Sequence, residues 1–553
     1  MATTAEQARE RTATSPVMEL FHGRVRSDLV QPFPARPPAE RARVSALVEG
    51  FRTMVRDGYD PLAVERRRGL GEDLLAELGE RGLTGLHVEE RFGGQGLSQS
   101  AYFRVFEAMA EVDPGLAIVL GIHQSIGMRG IVLYGTEEQK ERFLPDLAAG
   151  RRLAGFALTE DDAGSDSYQV QSRAVREADG AWRLNGDKRF VGNGSTGSVF
   201  VVIARAEVGG RDRHIALLVE RGMPGFEVGE RYDMLGVHAN DVRRMRFNDV
   251  RVPAENVLGE PGQGFKVAMH SLNNGRLGLA AVSVGAAKGL LDRTVAHLRS
   301  RTQFGVSLSE LEMVREKVSR MTATLFARDA TCYLTSGLLD QGFDVVSETA
   351  ACKVACSEFV NDVATTTLQL RGGEGYMQPE PYEKFFRDVR VFPVFEGAND
   401  VLRAFVALTA FKRLDDDQPG PPPPVAEPVP ELASRAAALG EQAERFSAAV
   451  HALCEEHGEM VIAKQFQQKR VSDTLIELYA QMAVLSVAGA PPDGREAEAL
   501  EARLAVAQAA FDLSHARAER SLREMRDNDD DRTTAIADLA YRFGPSDFAL
   551  ARG

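Results

Sequence analysis

The sequence predicts an α+β protein: an N-terminal helical domain, a middle antiparallel β domain, a C-terminal four-helix domain and an extra helical domain after it. Three observations carry that reading. Up to about Gly150, apolar residues recur at spacings of three and four. From Leu153 to about Pro261, short β-branched runs and alternation replace that pattern. From Gly264 the helical spacing returns, broken by the acidic, Pro-rich stretch LDDDQPGPPPPVAEPVPE.

In chain order, residues 1–38 read as an irregular segment, with PFPARPP rigid and poorly helical. Residues 39–152 hold ERARVSALVEGFRTMV, GEDLLAELGERG and TEEQKERFLPDLAAG, each periodic. Thr136 followed by Gln139 marks a capping box at a helix start. Residues 153–261 hold the strands VFVVIARAE, RHIALLVE and DVRRMRFNDVRV, with Asp179-Gly180 and Asn185-Gly186 as hairpin-turn signals. Residues 262–413 begin with one long helix, Gly264 to Arg301, followed by helices near 310–340, 345–371 and 398–413. Residues 414–431 are the linker. Residues 432–553 carry long amphipathic patterns without chemistry of their own, which points to packing and dimer support.

The chain has 553 residues and is 44% hydrophobic, enough for several sizeable cores. A net charge of -14 argues against nucleic acid or an anionic membrane as the main partner. Cys352 and Cys356 lie one helical turn apart, with Cys332 and Cys454 elsewhere. No His-rich partner has metal spacing, so reduced, buried thiols and no metal site are expected. The N-terminus lacks a secretory h-region, and Glu6 and Glu10 are unusual in a mitochondrial transit peptide. No run of 18 apolar residues occurs, so no spanning helix and no stable membrane insertion are expected. The expected location is cytoplasmic, with the mitochondrial matrix as the alternative.

One acid stands out. Glu396, in FFRDVRVFPVFEGANDVLRAFVAL, sits between an apolar run and a Gly-Ala-Asn-Asp turn that feeds a helix. Water lost from one side would raise its pKa and make it a better base, while a solvated loop acid remains the plainer alternative.

VFEGANDVLR resembles the catalytic-base motif of the acyl-CoA dehydrogenase family, and FALTEDDAGSD resembles that family's flavin-binding strand and loop. MHSLNNGRLGLAA, RTQFG and GIHQSIG are similar to the very-long-chain subgroup. The likeness runs from about Ser15 to about Gly544. It implies FAD as cofactor, an acyl-CoA thioester as substrate and Glu396 as the base. A minority of the family carries the base on the long helix, at the position held here by Gly275, which has no side chain to serve.

The resemblance also assigns supporting residues. Phe156, Leu158, Thr159 and Ser165 would meet the flavin, Thr159 through its hydroxyl, with Ser165 also at the CoA portion. Phe190, Val191 and Gly192 match the second flavin strand, but Gly192 lacks the usual hydroxyl; Asn193 or a backbone N–H are the candidates to replace it. Ala398 stands where the motif has Thr, and Asp161 where it has Pro. Ala398, Asn399 and Asp400 follow the base at the cofactor. Arg301, Gln303 and Phe304 would reach the FAD of a neighbouring subunit, and Gln369, Gly372 and Gly373 its adenosine-diphosphate part, which implies a homodimer. Asn273 and Arg276 match the acyl-CoA turn. The substrate carbonyl would be held by the Glu396 N–H and a flavin ribityl hydroxyl.

Gly127 and Gly130 lie three apart on a helix face. They either deepen an acyl channel or allow close helix packing. Arg387-Asp388 reads as a structural salt bridge. The implied reaction is α,β-dehydrogenation of a medium-to-very-long-chain acyl-CoA to the trans-2-enoyl product, with electron-transfer flavoprotein as acceptor. The alternatives are an oxidase or desaturase of a carrier-bound acyl group, and a non-catalytic assembly factor of the same fold.

Overall fold

The structure, a computed structural model, describes residues 15–414, 429–488 and 497–548. Most of the linker 414–431 therefore lies outside the described residues.

The expected irregular start contains two short helices, Pro16–Phe21 and Ser27–Val30. Ser15 caps the first, its side chain accepting from the Met18 N–H, and Pro16 occupies the first turn, where its missing N–H costs nothing. Val17, Leu20 and Phe21 are buried in a core shared with the C-terminal helices. The Phe21 ring meets Phe411 at 6.2 Å and Phe446 at 6.3 Å, edge-on. Helices then run through Pro38–Arg56, Gln99–Ala110, Pro114–Gly121 and Glu137–Ala148, the last started by the Thr136–Gln139 capping box. Between them, Ile122–Gly127 is a turn of π-helix.

The β domain is one seven-stranded sheet. Its strands are β1 (Leu153–Ala157), β2 (Arg173–Arg176), β3 (Trp182–Val191), β4 (Gly197–Val208), β5 (Arg211–Glu220), β6 (Phe226–Arg231) and β7 (Arg243–Val252). The order is β1-β4-β2-β3-β7-β6, with β5 on β4. Most pairings are antiparallel, but β1 and β2 run parallel to β4. Asp179-Gly180 turns β2 into β3 as expected. Asn185-Gly186 does not turn: it lies inside β3, where Gly186 (φ 153°) marks a register shift against β7. A Cβ on Gly186 would come within 2.1 Å of Ser172 Oγ, so the glycine serves a close approach.

Helices Gly264–Ser300, Glu312–Asp340, Val346–Arg371 and Asn399–Phe411 form the four-helix domain. Ala433–His457, Gln465–Ala488 and Ala497–Glu524 form the extra domain. Two segments, Pro114–Tyr134 and Gln465–Ala488, are long and apolar enough to cross a membrane, with mean hydropathy 1.6 and 1.2, because isolated polar residues interrupt them without making them polar on average. Both are largely buried in the fold, as core helices are. Among the described residues no disulfide forms. Cys332, Cys352 and Cys356 are buried, the last two with Sγ atoms 3.9 Å apart.

Candidate active site

Glu396 sits on a turn with φ +57°, followed by Gly397 at φ +91°. A left-handed glutamate is uncommon and costs about 1–2 kcal/mol, so the surrounding structure must hold it there. Half-buried as a residue, Glu396 still has its Oε2 shut from water without a hydrogen-bond partner. Burial pushes its carboxyl up to about 7, against the pull of the positive charges on Arg276 and Lys353. The carboxyl lies over Gly275: a Cβ there would be 2.5 Å from Oε2 and 3.0 Å from Ile126 Cγ2. Gly275 is thus more than a missing rival base; it is the seat of the carboxyl.

Arg276, nearly buried, donates to the Glu396 carbonyl (3.4 Å) and to Asn273 Oδ1 (2.8 Å), and its guanidinium lies 5.7 Å from the Phe405 ring centre. The substrate-turn residues and the base therefore meet. The Glu396 N–H donates to no backbone carbonyl among the described residues, which leaves it free for a substrate oxygen.

The sequence reading missed Lys353. It is fully buried and donates to the Gly397 carbonyl and to Asn399 Oδ1, both at 2.8 Å. Asn399 is committed elsewhere than to a cofactor: its Nδ2 donates to Ser357 Oγ (3.1 Å) and Glu358 Oε1 (3.0 Å). Asp400 has a 96% exposed side chain, and Ala398 begins the helix without a side-chain cap. A lysine inside an apolar helix pattern gave no signal; only its neighbours identify it.

The flavin-motif residues gather where β1 and β3 end. The Arg189 N–H donates to the Thr159 carbonyl, and buried Lys188 bonds the Leu158 carbonyl (2.9 Å) and Glu160 (2.7 Å), pinning the two ends together. Phe156 and Leu158 are buried, Thr159 is half-buried and Ser165 is exposed. Phe190, at φ +58° and 54% exposed, presents an aromatic face beside Tyr232. Asp161 pairs with Arg189 (2.7 Å) and Arg244 (2.5 Å) on the surface. Val191 is buried, and a Cβ on Gly192 would lie 2.7 Å from Ile122 Cδ1 and 3.1 Å from Asn240 Oδ1, so no hydroxyl fits there without a shift. Asn193 is no substitute, since its amide donates to the carbonyls of Ala154 (3.1 Å) and Val119 (3.4 Å). The π-turn links the halves: Ile122 underlies Gly192, and Ile126 borders Gly275 beside Glu396. An uncovered aromatic wall with a buried apolar strand end, one π-turn away from a desolvated acid, fits a flat, apolar-faced ring such as a flavin.

Other assigned residues lie apart from Glu396. Arg301, Gln303 and Phe304 sit in a small exposed hairpin after the long helix, with Phe304 92% exposed. Gln369, Gly372 (φ +62°) and Gly373 are exposed at the end of the next helix but one; His297 feels the charges of both Arg301 and Arg371, so the two groups are near each other. Gly127 and Gly130 take the packing alternative. A Cβ on Gly127 would strike the Ala154 backbone at 2.8 Å, and one on Gly130 would touch Leu258 at 3.1 Å. Arg387 and Asp388 are not paired with each other, because successive helix residues face apart. Arg387 binds Glu383 and Glu65, and Asp388 binds Lys384 and the Val237 N–H. Among the described residues no His/Cys/Asp/Glu group is arranged to hold a metal.

A desolvated acid in the helical bundle, joined through the π-turn to an aromatic strand end of the sheet, fits a class: flavin-dependent dehydrogenases. Family models agree along the chain. The acyl-CoA dehydrogenase N-terminal domain matches residues 42–151, the middle domain 155–250 and the C-terminal domain 262–411. The ACAD9/ACADV C-terminal domain matches 430–542. The chain is 35% identical to the very long-chain specific acyl-CoA dehydrogenase, mitochondrial, of Mus musculus, over 88% of this chain and 80% of that protein. An acyl-CoA dehydrogenase from Bacillus anthracis complexed with FAD matches at TM-score 0.82 with 25% identity, covering 95% of each chain. Butyryl-CoA dehydrogenase from Megasphaera elsdenii matches at TM-score 0.64 with 31% identity, covering 68% of this chain and 99% of that one. The chain belongs to the acyl-CoA dehydrogenase family: it is an FAD enzyme, an oxidoreductase acting on CH–CH bonds.

Proposed function

We propose that this protein oxidises long-chain acyl-CoA thioesters to trans-2-enoyl products, with Glu396 as the base. The observation that carries the reading is the Glu396 carboxyl: buried, unpartnered at Oε2, and raised to about 7, where it is half ionised near neutral pH and strong enough to take a weakly acidic proton. Glu396 removes the proton from the carbon next to the thioester carbonyl. Its own N–H, which donates to no backbone carbonyl among the described residues, steadies the carbonyl oxygen as negative charge develops. Arg276 and Asn273, joined to each other beside the base, orient the thioester end. FAD, held by Phe156, Leu158, Thr159 and Phe190, supplies the hydride acceptor when bound.

Two further parts belong to the same proposal. The very-long-chain resemblance and the extra domain favour a long acyl chain. The exposed Phe304, Met313, Tyr376 and Met377 of the helical domain are apolar side chains that a second copy could cover, as a homodimer with electron-transfer flavoprotein as acceptor. Anaerobic titration of the yellow protein with acyl-CoAs of increasing length should bleach the flavin best with long chains, and Glu396→Gln should slow bleaching by about 100-fold or more while keeping its flavin. Sedimentation should give twice the chain mass. Equal bleaching by Glu396→Gln sinks the base assignment; preference for short chains sinks the substrate assignment.

A further inference from the structure

We infer that Lys353 is a positioning residue for the base: from the neighbouring helix it clamps the left-handed turn that carries Glu396 and brings its ammonium beside the carboxyl. The inference rests on Glu396 being the base.

Three observations support it. First, the clamp has two points. The Lys353 ammonium reaches the Gly397 carbonyl and Asn399 Oδ1, each at 2.8 Å, so it holds the peptide just after the base and the first residue of the following helix. Ser357 and Glu358, one turn further along helix Val346–Arg371, take the other side of the Asn399 amide. Second, the turn needs holding. Glu396 and Gly397 are both left-handed, and the helix that follows has no side-chain cap to fix its start. Third, the charge is placed where it acts on the base. A fully buried lysine is costly unless its charge is used. Burial holds Lys353 down to about 7, and the Glu396 carboxylate is the largest force raising it again. The other charges facing Lys353 are Arg276 on the long helix, Glu358 on its own helix and Arg403 on the helix after the turn. Glu358 is occupied: both its oxygens bind Arg403 (2.7 and 2.8 Å). Arg276 and Arg403 are positive. Glu396 is therefore the carboxylate facing Lys353 that no side chain already binds, and Lys353 shares it with Arg276.

The effect has a sign. A positive charge beside Glu396 favours its ionised form, so removing that charge raises the pH at which the base becomes competent. A merely structural lysine would lower the rate or the stability without moving that midpoint.

The test uses FAD-loaded wild type, Lys353→Met, Lys353→Gln and Glu396→Gln. Two quantities are read against pH: the anaerobic bleaching rate with a long acyl-CoA, and the carboxyl infrared band that Glu396→Gln removes. In both Lys353 variants the two midpoints should rise together by about one pH unit. Lys353→Gln, which keeps a donor for the Gly397 carbonyl, should lose less of the high-pH plateau than Lys353→Met. Midpoints unchanged from wild type overturn the inference. If wild type and Glu396→Gln bleach alike, the base assignment itself has failed, and the infrared band still reports whether Lys353 sets the Glu396 ionisation.

Discussion

Glu396 carries a cost that its substitution should reveal. An ordinary glutamate has a pKa near 4.5, and in the fold Glu396 is raised to about 7. For a group raised on folding, the favourable contribution is complete below its unfolded value and is lost as pH climbs through the folded one. At pH 8 the protein therefore holds a buried carboxylate that the unfolded chain would solvate, a penalty on the order of 1–3 kcal/mol. Glu396→Gln should accordingly be more stable than wild type at pH 8, with the gain vanishing near pH 4.5. Denaturant unfolding at both pH values measures it, and a gain independent of pH would show that burial does not destabilise the acid. The motif made Glu396, Asn273 and Arg276 legible because their neighbours in sequence identify them. Lys353 escaped because its meaning lies in contacts with Gly397 and Asn399, far along the chain.

The same division appears among the elements. The Thr136 capping box could be read because cap and acceptor lie within one turn. The four long helices of the second helical domain could be read because periodicity is local. The π-turn Ile122–Gly127 could not: GIHQSIG has ordinary helical spacing, and its widening is held by His123, which meets the Ala154 N–H at Nδ1 (3.0 Å) and the Leu147 carbonyl at Nε2 (3.1 Å). Asn185-Gly186 misled for the opposite reason, since a turn dipeptide was used for a register shift against β7 and a close approach to Ser172. Helix Asn399–Phe411 offers a test at this scale. Its first position, Ala398, has extended backbone (φ −55°, ψ 141°) and no capping oxygen. Ala398→Ser should supply one and stabilise the protein by about 1 kcal/mol. Thermal melts of flavin-loaded protein check this; an unchanged or lowered Tm would mean that the helix start is held well enough without a capping oxygen, as where the Asn399 N–H donates to the Pro393 carbonyl (3.0 Å).

Over the whole molecule, the extra domain is bound to the catalytic half by a shared core and a charged seam. Leu402, Val406, Ala407 and Ala410 of the helix after the base are buried in one cluster with Phe446, Leu475 and Tyr479 of the extra domain, and with Val17 and Phe21 of the N-terminal segment. Arg403 binds Asp473 (2.6 Å), and Ser472 donates to the Arg403 carbonyl (2.5 Å). Buried Arg328 pairs with Glu477 at 2.5 Å. Arg403 also grips Glu358, which holds Asn399 at the base turn, so a continuous path of hydrogen bonds runs from Asp473 to the residue next to Ala398. A chain ending after Arg413 would bare this apolar face, and each Å² returned to water costs roughly 25 cal/mol. It would also remove Glu477, the carboxylate of Arg328. The truncated chain is expected to aggregate, and any soluble fraction to melt well below the full chain. Size-exclusion chromatography and melting of the truncated chain beside the full one test this. A monodisperse truncated chain with the full chain's Tm would mean that the catalytic half covers its own core, and that the seam through Arg403 contributes nothing to holding the base.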